Sequence, residues 1–255
     1  MRPGACRTAP KAAVRDRISW AIGQTGAVIT TLKLSIAVAP DTAVSALAVS
    51  PPTPEACCVL AHGAGAGMTH PFMHAVAEGL AQRRIATLRY QFPYMEQGSK
   101  RTDAPALAHA TVRAAVACAS ARFDGVRLFA GGKSFGGRMT SQAQALAPLP
   151  GVQGLVFLGF PLHPSGKPSA AAARAAHLQD VDVPMLFAHG PRDTLAEPGE
   201  FHAATQALGP LATVLDIEGA DHGFHVLKRS GRTDEEALDE LLDGIAVWTQ
   251  AWRIG

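Results

Sequence analysis

The stretch Gly131-Gly132-Lys133-Ser134-Phe135-Gly136-Gly137 fits two incompatible motifs, and the choice between them decides the architecture around it. Gly-Lys-Ser ends a phosphate-cradling loop, whereas Gly132-Lys133-Ser134-Phe135-Gly136 is a G-x-S-x-G turn that presents a nucleophilic serine. A phosphate loop in this frame needs a glycine at position 127, which is Arg127. It also needs irregular chain where Val126 to Ala130 is an apolar strand pattern. The serine turn asks for strand, sharp turn and helix. The residues two before and two after the serine must be very small, because a strained turn brings them against neighbouring backbone. Here both are glycine, and Gly131 and Gly137 widen the clearance.

Working outward, strand and helix patterns alternate. Leu32 to Ala39 and Ala43 to Ser50 read as neighbouring short strands. Ala56 to Ala61 is a continuous apolar run, the pattern of a strand buried on both faces, and it ends in His62-Gly63-Ala64-Gly65-Ala66-Gly67. A helix over Pro71 to Arg84, a strand over Ile85 to Phe92, a helix over Pro105 to Arg122 and a helix opening near Ser134 follow. Beyond it come a strand at Val152 to Phe160, an Ala-rich helix at Ser169 to His177 and a strand at Val183 to His189. A helix near Gly199 to Leu208, a strand at Thr213 to Ile217 and an amphipathic helix at Asp234 to Trp252 complete the chain. This order predicts a doubly wound, mostly parallel sheet of about eight strands with helices on both faces.

A serine hydroxyl needs a base to take its proton and an acid to hold that base. In this architecture the chain order is serine, acid, histidine, and two strand ends after Ser134 supply the partners. One is Phe187 to Asp193, where a buried strand runs into a turn carrying Asp193. The other is Ile217 to Phe224, which carries His222 in a glycine-flanked loop. Ser134 is therefore the expected nucleophile, Asp193 the acid and His222 the base. Asp221 competes for the acid role, but its adjacency to His222 makes it a loop organiser instead. The amide of Phe135, at a helix N-terminus, is one expected oxyanion donor. The amide of Ala64, or that of Gly65, is the other. A dinucleotide fingerprint fails here because Met68 stands where the third glycine belongs.

Gly65, Tyr94, Lys133 and His163 are the substrate-contact candidates. Lys133 either meets an acidic group of the substrate or is solvated, and Arg89, Tyr90, Phe92, Pro93 and Tyr94 either line a pocket or only pack. Pro161 to Pro168 lies where a lid commonly sits. His70 with His74 and His222 with His225 have the spacing of metal pairs but no third ligand nearby, so no metal and no cofactor are expected.

With hydrophobic residues at 47% of 255 and charged ones at 17%, the chain can bury a sizeable core. A formal charge of +2 without a basic block excludes the footprint of a nucleic-acid binder. No apolar run reaches the roughly 18 to 20 residues of a bilayer span. Residues 1 to 30 are basic, nearly free of acid and without a secretory apolar region, and are expected to be a loosely ordered extension to a single domain over 31 to 255. Cys6, Cys57, Cys58 and Cys118 lack C-x-x-C spacing, which points to a reducing compartment. The expectation is a cytoplasmic monomer or homodimer acting on a small acyl substrate, without membrane or nucleic-acid partners.

The pairing of HGAGAGMTHPFM (62 to 73) with GGKSFGGRM (131 to 139) resembles the α/β-hydrolase superfamily, and within it small dienelactone-hydrolase-like members. The branch it looks like holds predicted hydrolases of bacteria and animal relatives, some associated with chromatin complexes. The resemblance runs from about Leu32 to the C-terminus. It implies the α/β-hydrolase fold and the same Ser134, Asp193 and His222. Dienelactone hydrolase itself uses a cysteine nucleophile where this chain has serine, so lactone specificity does not transfer. A hydrolase scaffold serving only as a protein-interaction module is the competing reading.

Overall fold

A computed structural model describes residues 6–8, 21–22 and 28–252. The chain opens with two short strands, β1 (Cys6–Thr8) and β2 (Ala21–Ile22), both antiparallel to β3 (Val28–Ala39). The rest of the expected N-terminal extension lies outside the described residues. β3 forms a hairpin with β4 (Thr42–Ser50), and β5 (Ala56–Ala61) follows. Next come α1 (Pro71–Gln82), β6 (Ile85–Tyr90), the four-residue α2 (Pro93–Glu96), α3 (Pro105–Arg122), β7 (Arg127–Lys133) and α4 (Phe135–Leu146). Then come β8 (Val152–Leu158), the short α5 (Ala171–Ala175), β9 (Met185–His189), α6 (Pro198–Gln206), β10 (Ala212–Asp216) and α7 (Asp234–Ala251).

The sheet runs β1-β3-β4-β6-β5-β7-β8-β9-β10. From β6 to β10 every neighbouring pair is parallel, while β4 runs antiparallel to both β3 and β6. The eight strands from β3 to β10 are the expected sheet, and β1 and β2 add to it. β5 sits centrally and is buried along its whole length, which is why its residues are apolar without alternation. Successive side chains still point to opposite faces: Cys57, Val59 and Ala61 pack with α3 and α4, and Ala56, Cys58 and Leu60 with α1 and α7.

Capping residues define the helix starts. His70 accepts from the Phe72 amide ahead of Pro71 at α1, and Thr233 and Glu236 form a reciprocal capping box at α7. Among the described residues no helix is long and apolar enough to cross a membrane. Cys57 and Cys58 are buried free thiols, but Cys118 is disulfide-bonded, which removes the thiol-based argument for a reducing compartment.

Candidate active site

Parallel strands bring the carboxyl ends of β5, β7, β9 and β10 to one edge of the sheet, and the candidate residues lie there. β7 continues through Gly131 and Gly132 to Lys133, beyond the expected end at Ala130. The glycines allow this. A Cβ on Gly131 would lie 1.8 Å from the Val156 carbonyl oxygen on β8, and one on Gly132 2.2 Å from that of Ala61 on β5. After them Ser134 sits at φ 50° and ψ −114°, a region side chains rarely occupy, as the N-cap of α4. Such a conformation costs on the order of 1–3 kcal/mol and persists only where neighbours over-determine it. Those neighbours are the Leu158 carbonyl, which accepts the Ser134 amide at 3.2 Å, and Gly136, packed on β5.

The Ser134 hydroxyl lies 3.0 Å from His222 Nε2, and His222 Nδ1 lies 2.6 Å from Asp193 Oδ2. Asp193 is 1% exposed, and its other oxygen accepts the Leu195 amide at 2.8 Å. The carboxylate is thus held by its own turn, with one oxygen left for the imidazole. The carboxylate can only accept, so with Nδ1 protonated Nε2 faces the serine as an acceptor. The two loops are stitched together: the Arg192 amide donates to the Ala220 carbonyl at 2.9 Å, and a Cβ on Gly190 would meet the carbonyl oxygens of Ala220 and Asp221 at 2.6 Å. Asp221 Oδ1 accepts the amides of Gly223 and His225, so it organises the His222 loop.

The glycine loop after β5 packs on the turn: a Cβ on Gly63 would lie 3.7 Å from the Lys133 side chain and 3.9 Å from the Ser134 Cβ. Its carbonyls are fixed from behind. His62 is fully buried; its Nε2 accepts the Phe92 amide at 3.0 Å, so Nδ1 carries the proton and donates to the Gly63 carbonyl at 2.7 Å. Burial lowers the His62 pKa, which keeps the ring in this neutral form. The Tyr94 hydroxyl donates to the Ala64 carbonyl at 2.8 Å. Farther along, Arg89 donates to the Met68 carbonyl and Gln91 accepts the Met68 amide. Among the described residues no protein acceptor takes the Ala64 amide, and the Phe135 amide, in the first turn of α4, has no intrahelical acceptor.

A cleft of about 300 Å³ opens over Ser134, lined by Gly63, Ala64, Gly65, Phe72, Met73 and His222 among others. Lys133 contributes to its wall, but its ammonium donates to the His222 carbonyl and rests over the Phe224 and Phe72 rings at 5.3 and 5.9 Å. Burial pulls its pKa down to about 8, against the opposing pull of Asp193 and Asp221. Of the other substrate-contact candidates, Gly65 lines the cleft, whereas Tyr94 and His163 do not. Tyr94 is 2% exposed with its hydroxyl committed to the glycine loop. His163 is buried, with Nδ1 on the Pro164 carbonyl. Arg89, Tyr90, Phe92 and Pro93 are buried too, so this stretch packs. The Pro161 to Pro168 region and α5 flank a separate apolar groove against α6, away from the cleft.

The metal pairs raised by spacing have other partners: His74 with Glu78 at 3.2 Å and His225 with Asp234 at 2.9 Å. A second serine–histidine contact exists, Ser141 Oγ to His177 Nε2 at 2.8 Å. It lacks the means to act. Ser141 is fully buried, neither residue lines the cleft, and burial with the Arg138 charge pulls the His177 pKa to about 4.

A family model described as alpha/beta hydrolase domain matches residues 54–250. No curated protein matches by sequence. Among solved structures, dienelactone hydrolase from Anabaena variabilis superposes with a TM-score of 0.70 at 21% identity, covering 89% of this chain and 99% of that one. An α/β serine hydrolase without lid from Xanthomonas campestris gives 0.67 at 18% identity, with 86% and 94% covered. The esterase domain of a Rhodothermus marinus protein gives 0.65 at 15% identity, with 88% and 98% covered.

Proposed function

The chain belongs to the α/β-hydrolase domain family, and from that premise we propose that it is a serine hydrolase cleaving an ester, thioester or related acyl bond of a small molecule through an acyl-enzyme. The observation that carries this reading is the continuous hydrogen-bonded chain from Ser134 through His222 to Asp193, at 3.0 and 2.6 Å, opening on a cleft.

The Ser134 oxygen attacks the acyl carbon while its proton passes to His222 Nε2, and Asp193 stabilises the imidazolium that forms. Negative charge gathers on the former carbonyl oxygen, where the amides of Phe135 and Ala64 donate to it. Collapse breaks the bond to the leaving group, which takes the proton from His222. Water then repeats the sequence on the acyl-enzyme: its proton goes to Nε2, its oxygen bonds the acyl carbon, and the Ser134 oxygen leaves with the proton. No step calls for a metal or cofactor. A cleft of about 300 Å³ walled by Phe72, Met73 and alanines favours a compact, apolar acyl group.

Intact-mass labelling with a fluorophosphonate tests the reading. One adduct on the wild-type protein that disappears in Ser134→Ala is the expected result. A folded wild-type protein that takes no adduct overturns it and leaves the interaction-module reading in its place.

A further inference from the structure

At the carboxyl ends of β9 and β10, His189 and Asp216 are register partners across parallel strands, and His202 reaches them from α6. Each offers one ligand atom, all within 4.8 Å of one another, and among the described residues this is the one such group of three. Both ring nitrogens of His189 face acceptors. His189 Nε2 lies 2.8 Å from the Ala196 carbonyl oxygen, which can only accept, so Nε2 carries a proton. In a neutral ring Nδ1 is then a lone pair, yet it faces Asp216 Oδ1, a second acceptor, at 2.9 Å. On the other carboxylate oxygen, His202 Nε2 approaches Oδ2 at 3.4 Å. The His189 ring cannot turn away. It is fully buried and stacked on Phe201, with centroids 3.9 Å apart and planes at 10°.

Something positive belongs between these atoms. Ligands about 2.0–2.2 Å from an ion lie roughly 2.8–3.6 Å from one another at octahedral to tetrahedral angles, and the separations of Asp216 from His189 and from His202, 2.9 and 3.4 Å, are of that size. The bond from His189 Nε2–H to a backbone carbonyl is the outer partner that fixes the tautomer of a ligating histidine. His202 and Asp216 are partly exposed, which gives an ion its entry and His202 the freedom to close on it. Two imidazoles and one carboxylate suit a borderline transition ion and not calcium or magnesium, which take oxygen ligands.

We propose that His189, His202 and Asp216 form a binding site for a divalent transition-metal ion of the Zn²⁺ type, with water completing its coordination. The ion joins β9, β10 and α6. Through His189 and the Ala196 carbonyl it also braces the 190 to 196 turn that carries Asp193. Its role is to hold that turn, and the assignment does not depend on the hydrolase reading.

The test uses the full chain, stripped with a chelator and then freed of it. Zn²⁺ binding is measured in competition with a chromophoric chelator, and Co²⁺ binding by visible absorption. Wild type is compared with His202→Ala, Asp216→Asn and, as a control, His74→Ala, with circular dichroism to verify folding. We expect one equivalent in the wild type, affinity at least about 100-fold weaker in the two site variants, since outer-partner losses alone cost 10–100-fold, and no change in His74→Ala. A raised thermal midpoint with Zn²⁺ should accompany binding and be lost in His202→Ala. Absence of stoichiometric binding, or equal binding by wild type and His202→Ala, overturns the proposal. The centre is then a proton, and the pair an imidazolium–aspartate ion pair.

Discussion

Gly136→Ala adds a single methyl group at the point where α4 leans on β5. Its Cβ would lie 2.6 Å from each of three atoms, the Ala61 Cβ, the Ala61 carbonyl oxygen and the His62 carbonyl oxygen, where ordinary contact begins at 3.4 Å. Two of the three are backbone oxygens of the central strand and the glycine loop, so no rotamer change relieves them. Overpacking by one group costs about 1–3 kcal/mol where neighbours can yield, and with rigid neighbours the upper end applies, about 3 kcal/mol. In a domain of this size that lowers the thermal midpoint by roughly 6–12 °C. The helix must also lift from β5, carrying Ser134 and the Phe135 amide away from the glycine loop. Displacements approaching 1 Å cost about 100-fold in rate. Differential scanning fluorimetry and fluorophosphonate labelling rates measure the two effects. Gly199→Ala is the control, since nothing lies within 4 Å of its added methyl and its φ is not positive. It should be neutral or slightly stabilising. A Gly136→Ala protein with wild-type midpoint and labelling rate would refute the argument that contact with β5 holds the turn.

Three other outcomes follow from the same geometry. Asp193→Asn keeps an acceptor for the Leu195 amide but presents an amide to His222 Nδ1; labelling should fall by about 10⁴ with the fold intact by circular dichroism. Tyr94→Phe frees the Ala64 carbonyl; ester turnover should drop several-fold in kcat with KM little changed, while stability changes by no more than about 1 kcal/mol. Lys133 has a pKa of about 8 in the folded protein against 10.5 ordinarily, because burial disfavours its charge. Between those values the unfolded chain binds more protons, so this group makes stability rise with pH from about 8 to 10.5. Thermal midpoints across that range should show the rise in wild type relative to Lys133→Met, and parallel curves would count against the buried ammonium.

The fold was readable where burial is two-sided or the period is clean: β5 and α3 have the ends their residues imply, because a continuous apolar run and a proline start leave few alternatives. β7 runs three residues past Ala130 because Gly131 and Gly132 are poor strand formers locally, and only flanking backbone from β5 and β8 keeps them extended. α2, four residues after Phe92, is too short to leave a helical period in the sequence. At the candidate site, chain order and strand ends were enough to bring Ser134, Asp193 and His222 within hydrogen-bond reach. What lay hidden is orientation. Tyr94 and Lys133 turn to the carbonyls of Ala64 and His222, which no spacing reveals. The support His62 gives the loop is signalled in the sequence only by a histidine that follows a buried strand and precedes a glycine loop. His189, His202 and Asp216 converge from three elements and share no motif.

Ser134 occupies a backbone conformation that glycine would adopt without penalty. Durability and reactivity therefore pull position 134 in opposite directions. Sorting a library of variants on heat resistance alone should enrich glycine there, whereas sorting on probe labelling should purge it. Retention of serine at this position across descendants of such a library would be a record of selection for chemistry, legible without knowing the substrate.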